Sequence, residues 1–254
     1  MTVHTVGRGC ALILIVGGSA EDGRWLEDAL RATALPISVR SLDDVLGAGD
    51  GDSSALRPSV VVLHERRRRE DLLDALDRVR AHPVLGSVPL VVVDHERDIE
   101  RFTAAVAHGA AACVSPPLDP AHLRATVIRL ARWRDTPEGL GERRRRRRRP
   151  LLLRVDVHLP SGGGVLGGLL RDVSSSGCRV EAPQAVRPGT AVAITPYGYD
   201  ASLEFRVAAV VRRHAELERG LHVLACRFAG TGAVMAPRLF GVKGGAKAAA
   251  AASP

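Results

Sequence analysis

The chain has 254 residues, of which 46% are hydrophobic and 3% aromatic, and this length allows about two compact domains. Such a composition excludes a fibrous or wholly disordered protein. The formal net charge of +8 is confined to one part of the chain, because residues 1–134 carry 17 basic and 18 acidic side chains whereas residues 135–254 carry 19 and 10.

The longest uninterrupted apolar run is Cys10–Val16, which has seven residues. A membrane span needs about 18 apolar residues, so the sequence predicts no membrane span. A run of this length is typical of a parallel strand that is buried on both faces.

Residues 10–134 alternate short aliphatic runs with amphipathic segments of helical length. This order predicts an α/β domain, a doubly wound five-stranded parallel sheet with helices on both faces. The strands are predicted at Ala11–Val16, Pro36–Arg40, Ser59–Leu63, Val88–Val93 and Ala111–Ser115. The first helix is predicted to begin after a Ser19 cap, with Trp25, Leu26, Ala29 and Leu30 on one face. A second helix is predicted around Leu72, Leu73, Leu76 and Val79, which have the same spacing. Two further helices are predicted at Ile99–His108 and Pro120–Arg134. Gly47–Ser54, rich in Gly and Asp, is predicted to be a loop.

Residues 135–150 interrupt this pattern and form a predicted linker that contains seven consecutive arginines, Arg143–Arg149. Short β-rich segments separated by Gly and Pro turns then predict a small all-β antiparallel barrel over residues 151–240. Its strands are predicted at Leu153–Leu159, Gly168–Val173, Cys178–Ala182, Ala191–Thr195, Leu203–Val211 and Leu221–Phe228. Residues 241–254 have low complexity and are predicted to be a disordered tail.

The first domain resembles the receiver domain of bacterial response regulators, but the residues of its phosphorylation site differ. Gly17-Gly18 follows the first strand where receivers have metal-binding acidic residues, and His64 stands at the phosphoacceptor position. Asp94 replaces a hydroxyl residue, and Pro116-Pro117 replaces Lys-Pro. Phosphoryl transfer needs a nucleophile, a metal and a cation. We therefore expect a phosphorylation-incompetent domain that binds an unidentified protein partner or a second copy of the chain.

The second domain carries the turn sequence Asp172-x-Ser174-x-x-Gly177, 24 residues after Arg148. Together these features resemble the PilZ family of cyclic di-GMP receptors, which pair Arg-x-x-x-Arg with Asp/Asn-x-Ser-x-x-Gly. Arg187–Thr190 and the segment from Arg219 to Phe228 also resemble the family's later strands. The resemblance covers residues 142–240 and implies a cyclic di-GMP site.

The chemistry of these residues fits that ligand. A guanidinium matches a phosphate or the O6/N7 edge of guanine bidentately. The Asp172 carboxylate can accept from guanine N1–H and N2–H, Ser174 can add a hydroxyl contact, and Gly177 allows a positive φ or a close approach of backbone to ligand.

The arginine run leaves the choice of arginines open. Arg-x-x-x-Arg occurs here as Arg143/Arg147, Arg144/Arg148 and Arg145/Arg149. Because family members often have a proline two residues after the second arginine, Pro150 favours Arg144 and Arg148, with Arg145 and Arg149 as the alternative.

Other function classes have weaker support. The arginine run is also compatible with nucleic-acid binding or with an electrostatic linker in a protein-interaction scaffold. Stacking aromatic residues do not accompany the run, so we do not expect nucleic acid to be the partner. No nucleophile, phosphate-binding or metal motif is present, and we expect neither an enzyme nor a cofactor. The four cysteines form no Cys-x-x-Cys pair and are predicted to be reduced, buried residues of a cytoplasmic protein.

Overall fold

The computed structural model describes residues 12–17, 20–47, 57–65, 69–94, 98–115, 119–135, 148–160, 162–197, 206–217 and 220–240. The chain divides into two compact units, Met1–Glu142 and Arg143–Pro254. Some predicted features lie outside the described residues: Cys10, Gly18, the Ser19 cap, residues 48–54, Pro116-Pro117, Arg143–Arg147 and the tail 241–254.

The first unit contains a five-stranded parallel sheet, as predicted. Its strands are β1 (Leu12–Val16), β2 (Ile37–Arg40), β3 (Pro58–Glu65), β4 (Leu90–Asp94) and β5 (Ala112–Val114). Their order is β2-β1-β3-β4-β5, and each neighbouring pair is parallel. This is the order of flavodoxin-like folds, which bind ligands at the carboxyl edge of the strands.

Helices connect these strands. They are α1 (Ala20–Arg31), α2 (Leu42–Gly47), α3 (Arg69–Ala81), α4 (Ile99–Ala107) and α5 (Pro120–Ala131), the last followed by a 3₁₀ turn at Arg132–Asp135. Asp98 and Asp119 cap α4 and α5, each accepting a hydrogen bond from a backbone N–H two residues later. Within the described residues, no helix is long and apolar enough to cross a membrane.

The aliphatic runs in the sequence become the centre of the sheet. Ile13–Val16 of β1 and Val60–Leu63 of β3 have no exposed surface. Helix α3 contributes Leu72, Leu76 and Val79 to the core cluster on one face of the sheet. Strands covered on both faces need no polar alternation, which is why these segments are continuously aliphatic.

Two details of the first unit differ from the sequence prediction. Trp25 was predicted on the apolar face of α1, but its side chain is 40% exposed while Leu26 and Leu30 are buried. The indole lies at the margin of the buried helix face, so only part of it is covered. Helix α2 was not predicted. It begins after Ser41, whose hydroxyl accepts a hydrogen bond from the Asp44 N–H at 3.0 Å, and it is too short to show a periodic pattern.

The second unit is a closed antiparallel barrel, as predicted. Its strands are β6 (Arg149–His158), β7 (Val165–Ser174), β8 (Gly177–Ala182), β9 (Ala191–Pro196), β10 (Val207–Glu216) and β11 (His222–Phe228). Their order around the barrel is β10-β11-β8-β7-β6-β9. Alternate residues of β6, such as Leu151, Leu153 and Val155, are buried in the barrel core.

The ends of the barrel differ from the prediction. Arg149 and Pro150 were assigned to the linker, but they belong to β6, where Arg149 pairs with Val173. A helix that the sequence did not predict, α6 (Gly232–Phe240), follows the last strand. Its Phe240 ring stacks on Phe228, with 6.4 Å between ring centroids, and has no exposed surface. The helix was missed because it has only nine residues and contains Pro237, which is unfavourable inside a helix.

Candidate functional site

Asp172 lies near the end of β7, opposite Pro150 of β6 and Arg179 of β8. Its side chain is on the face of the sheet opposite to Cys178 and Val180, which alternate with Arg179 and point into the core. Nevertheless, Asp172 has no exposed surface. A buried carboxylate is costly unless charged donors satisfy it, so its neighbours define the chemistry of this position.

Two arginines hold the two oxygens of Asp172. Arg148 Nη1 donates to Oδ1 at 2.9 Å, and Arg179 Nε donates to Oδ2. Both guanidinium groups are largely covered, with side-chain exposures of 18% for Arg148 and 19% for Arg179. Charge-assisted hydrogen bonds in such a partly dry position are stronger than surface ion pairs. Arg148, Asp172 and Arg179 are called the Asp172 cluster below.

The Asp172 cluster has an internal electrostatic conflict. Burial raises the pKa of the Asp172 carboxyl above its ordinary value, whereas the charges of Arg179, Arg148 and Arg171 lower it, and burial has the larger effect. The carboxylate therefore depends on its arginines to remain ionised.

A β-bulge sets the directions of the neighbouring charges. The pairing of β7 with β8 shifts between Leu170 and Asp172, which makes Arg171 the extra residue on β7. Arg171 Nε lies 3.2 Å from Glu181 Oε1 on β8. The bulge thus adds a second ion pair beside the Asp172 cluster.

Ser174 closes the turn between β7 and β8. Its hydroxyl donates to the Gly177 carbonyl oxygen at 3.1 Å and accepts from the Ser176 N–H at 3.4 Å. The side chain is buried. These bonds show how the turn is held, and contact between Ser174 and a ligand remains a prediction.

Gly177 was expected to provide a positive φ or a close approach to ligand. The prediction of a positive φ is wrong, because Gly177 is not among the glycines that have this conformation. A Cβ atom at this position would collide with the backbone carbonyl oxygen of Cys226 on β11. The glycine is required because β11 passes directly against the turn.

The two candidate arginine pairs differ in the positions of their second members. Arg148, the second member of the pair Arg144/Arg148, contacts Asp172. Arg149 instead donates from Nη2 to the carbonyl oxygen of Phe240 at the end of α6. The first members, Arg144 and Arg145, lie outside the described residues.

Arg179 was the site residue that sequence reasoning missed. In the sequence, Arg179 is one residue of the predicted strand after the turn, and it belongs to no motif. The available signal was the alternation of Cys178, Arg179 and Val180, which places the arginine outside the barrel core and next to β7.

The carboxyl edge of the parallel sheet in the first unit has different chemistry. Gly17, with φ +86°, packs against the backbone of His64, so a side chain at position 17 would collide with that strand. His64, at the expected phosphoacceptor position, is 1% exposed within β3. Asp94, at the end of β4, is held bidentately by Arg101 of α4 at 2.9 and 3.1 Å. Both side chains of this pair are buried.

The described cysteines are free thiols. Cys178 and Cys226 face each other across β8 and β11 and are buried. Burial and nearby Asp94 raise the pKa of the partly buried Cys113, which keeps its thiol protonated.

Among the described residues, no group of three or more His, Cys, Asp or Glu side chains is arranged to hold a metal ion.

Residues 142–234 match the family model of the PilZ domain, and this part of the chain is a PilZ domain. It includes all of the Asp172 cluster. No curated protein matches the chain.

The first half is similar to solved response-regulator structures. A putative response regulator from Chloroflexus aurantiacus has 21% identity, with 48% of this chain and 98% of that chain covered and a TM-score of 0.42. The chemotaxis response regulator CheY4 of Vibrio cholerae has 16% identity, coverages of 48% and 99%, and a TM-score of 0.40. The pilus assembly protein CpaE from Caulobacter crescentus has 21% identity, coverages of 47% and 98%, and a TM-score of 0.38.

We expect Gly177→Ala to destabilise the barrel by about 1–3 kcal/mol, because the added methyl group collides with the β11 backbone. Differential scanning calorimetry of the full chain measures the effect. Gly167→Ala is the matched control, since a Cβ there meets no atom within 4 Å, and its effect should stay within about 1 kcal/mol. Equal stability of the two variants would contradict the packing argument.

We expect Arg101→Ala to lower the free energy of unfolding of the first unit by about 3–5 kcal/mol, because it leaves Asp94 buried without its ion-pair partner. Both tryptophans, Trp25 and Trp133, lie in this unit, so fluorescence during urea unfolding reports on it. Arg78→Ala is the control. It removes an exposed pair with Asp43 and should cost less than about 1 kcal/mol. A loss no larger for Arg101→Ala than for this control would refute the assignment.

Proposed function

We propose that the chain is a cyclic di-GMP-binding signalling adapter whose ligand site is the Asp172 cluster. The observation that carries the proposal is a buried carboxylate, inside a PilZ domain, whose two oxygens are held by Arg148 and Arg179. The arrangement offers one acceptor group and two guanidinium groups at one position. A guanine nucleotide with phosphates has the complementary donors and charges.

Ligand binding requires an exchange of partners at Asp172. Because the carboxylate has no exposed surface, guanine N1–H and N2–H reach it only when an arginine moves aside. Arg148 precedes the first residue of β6, whereas Arg179 lies within β8 between two hydrogen-bonded neighbours. Arg148 is therefore the partner that the ligand replaces.

The displaced Arg148 then has new partners on the ligand itself. Its guanidinium matches a phosphate, or the O6/N7 edge of a guanine, through two parallel hydrogen bonds. The contact between Arg148 and Asp172 supports Arg144 and Arg148 as the binding pair. Arg149 has a separate partner in the Phe240 carbonyl, which makes the alternative pair less suitable.

We further propose that the receiver-like unit contributes protein contacts rather than phosphoryl chemistry. The buried Asp94–Arg101 pair and the buried imidazole of His64 support this proposal. An unidentified protein or a second copy of the chain is the proposed partner. We place the protein in the cytoplasm, in keeping with the free thiols of Cys178 and Cys226.

Asp172→Ala should weaken binding of cyclic di-GMP by at least about tenfold, because both acceptor oxygens are lost and no neighbouring residue replaces the carboxylate. Isothermal titration calorimetry of the full chain measures this change. Asp156→Ala on β6 is the control and should bind like the unsubstituted protein. The unsubstituted protein should prefer cyclic di-GMP to GTP and retain binding at high salt, unlike a counterion-release complex. Full affinity of Asp172→Ala would overturn the site.

The full chain should take up no radiolabel from acetyl phosphate in the presence of magnesium, because His64 is buried and Asp94 is already paired. Label that appears in the unsubstituted protein and disappears in His64→Ala would contradict the proposal and identify a phosphohistidine.

A further inference from the structure

The two arginines on Asp172 are held in different ways. Arg179 lies in the middle of β8, which is hydrogen-bonded to β7 on one side and to β11 on the other. Its Cα position is directly opposite that of Asp172. Arg148 lies just before β6 and is not part of a strand. Arg179 is therefore held in place by the strands on both sides of it, whereas Arg148 is attached to the barrel only through the first residue of β6.

A carboxylate has enough acceptor positions for both Arg179 and a guanine. Its two oxygens offer about four lone-pair positions. Guanine N1–H and N2–H use one position on each oxygen, and Arg179 Nε–H keeps the second position on Oδ2. Arg148 is the group that moves aside, because the buried carboxylate is reached only when one arginine leaves and Arg148 lies outside the strands. Arg179 does not have to leave.

We propose that Arg179 is a positioning residue for the cyclic di-GMP site: it stays on Asp172 Oδ2 when the ligand displaces Arg148, and it keeps the carboxylate ionised and correctly oriented. This inference rests on the proposed function of the PilZ domain. It gives the two arginines distinct roles, one exchanged and one retained.

The surroundings of Asp172 support the need for such a residue. The groups that face it are Arg148 before β6, Arg171 on its own strand β7 and Arg179 on β8, whereas Cys178 of β8 points into the core but lies close enough to interact with it electrostatically. Arg171 is already paired with Glu181, and the Cys178 thiol stays protonated because hydrogen bonding with Cys226 and burial raise its pKa. Once Arg148 has moved, Arg179 is the cation that remains in direct contact with the carboxylate.

The sign of the pH effect follows from this arrangement. Burial raises the pKa of Asp172, and Arg179 is the strongest of the charges that oppose the rise. The carboxyl accepts both guanine N–H groups only when it is ionised. Affinity therefore decreases as the pH falls through the pKa of Asp172, and removal of Arg179 moves this decrease to higher pH.

The test is a calorimetric titration of the full chain with cyclic di-GMP across a series of pH values. We expect Arg179→Gln to bind about tenfold more weakly at neutral pH and to lose affinity at a higher pH than the unsubstituted protein. Arg179→Lys restores the charge and should return the pH profile towards that of the unsubstituted protein. Arg187→Gln, at an exposed turn residue before β9, is the control for loss of one positive charge.

Each outcome decides a separate point. No binding by the unsubstituted protein overturns the proposed function and this inference with it. Binding by the unsubstituted protein, together with an unchanged pH profile in Arg179→Gln, overturns the inference alone. The inference alone is also overturned if Arg179→Gln lowers affinity equally at every pH, since that result indicates direct contact between Arg179 and the ligand. If Arg179→Gln does not fold, Arg179→Lys decides the question. Because lysine keeps the positive charge but cannot reproduce the Nε–H geometry, weaker binding with a pH profile close to that of the unsubstituted protein supports the inference, and unchanged affinity overturns it.

Discussion

The ion pairs of Asp172 with Arg148 and Arg179 are the interaction on which the second half of the protein depends. A carboxylate without exposed surface is tolerated in a small barrel only if charged donors satisfy it. The barrel supplies one donor from β8 and the segment before β6 supplies the other. Because one of these is outside the sheet, the carboxylate is both stabilised and open to exchange. A ligand that offers two N–H donors to Asp172 and a phosphate to Arg148 gives each of these residues a new partner in place of their mutual ion pair.

The fold and the candidate site use the same short segment. Ser174 holds the turn through the Gly177 carbonyl, and Gly177 lets β11 pass against that turn. The bulge at Arg171 directs its side chain to Glu181 and leaves Asp172 opposite Arg179. The turn sequence is thus explained in part by packing, and in the proposed function Asp172 is the residue of this segment that contacts the ligand. The first unit also contains a buried Asp–Arg pair, but Asp94 and Arg101 are both fixed within a strand and a helix.

Much of the architecture was predictable because it follows from periodicity. Continuous aliphatic runs identified β1, β3 and β4, and regularly spaced turns identified the barrel strands. The helices α2 and α6 were missed, since the six residues of α2 are too few for a periodic signal and α6 contains Pro237, which is unfavourable inside a helix. The motif identified Asp172 and Arg148, but Arg179 and Arg101 were missed because their roles depend on register and burial. The positive φ expected at Gly177 is wrong, and the approach of β11 was missed because it is a contact between strands distant in sequence.

The most direct measurement is a crystal structure of the full chain with cyclic di-GMP. We expect the N1–H and N2–H edge of a guanine within about 2.7–3.2 Å of the Asp172 oxygens, Arg179 still on Oδ2, and Arg148 moved onto the ligand. A structure with the nucleotide bound elsewhere, and with Arg148 and Arg179 both still on Asp172, would contradict it.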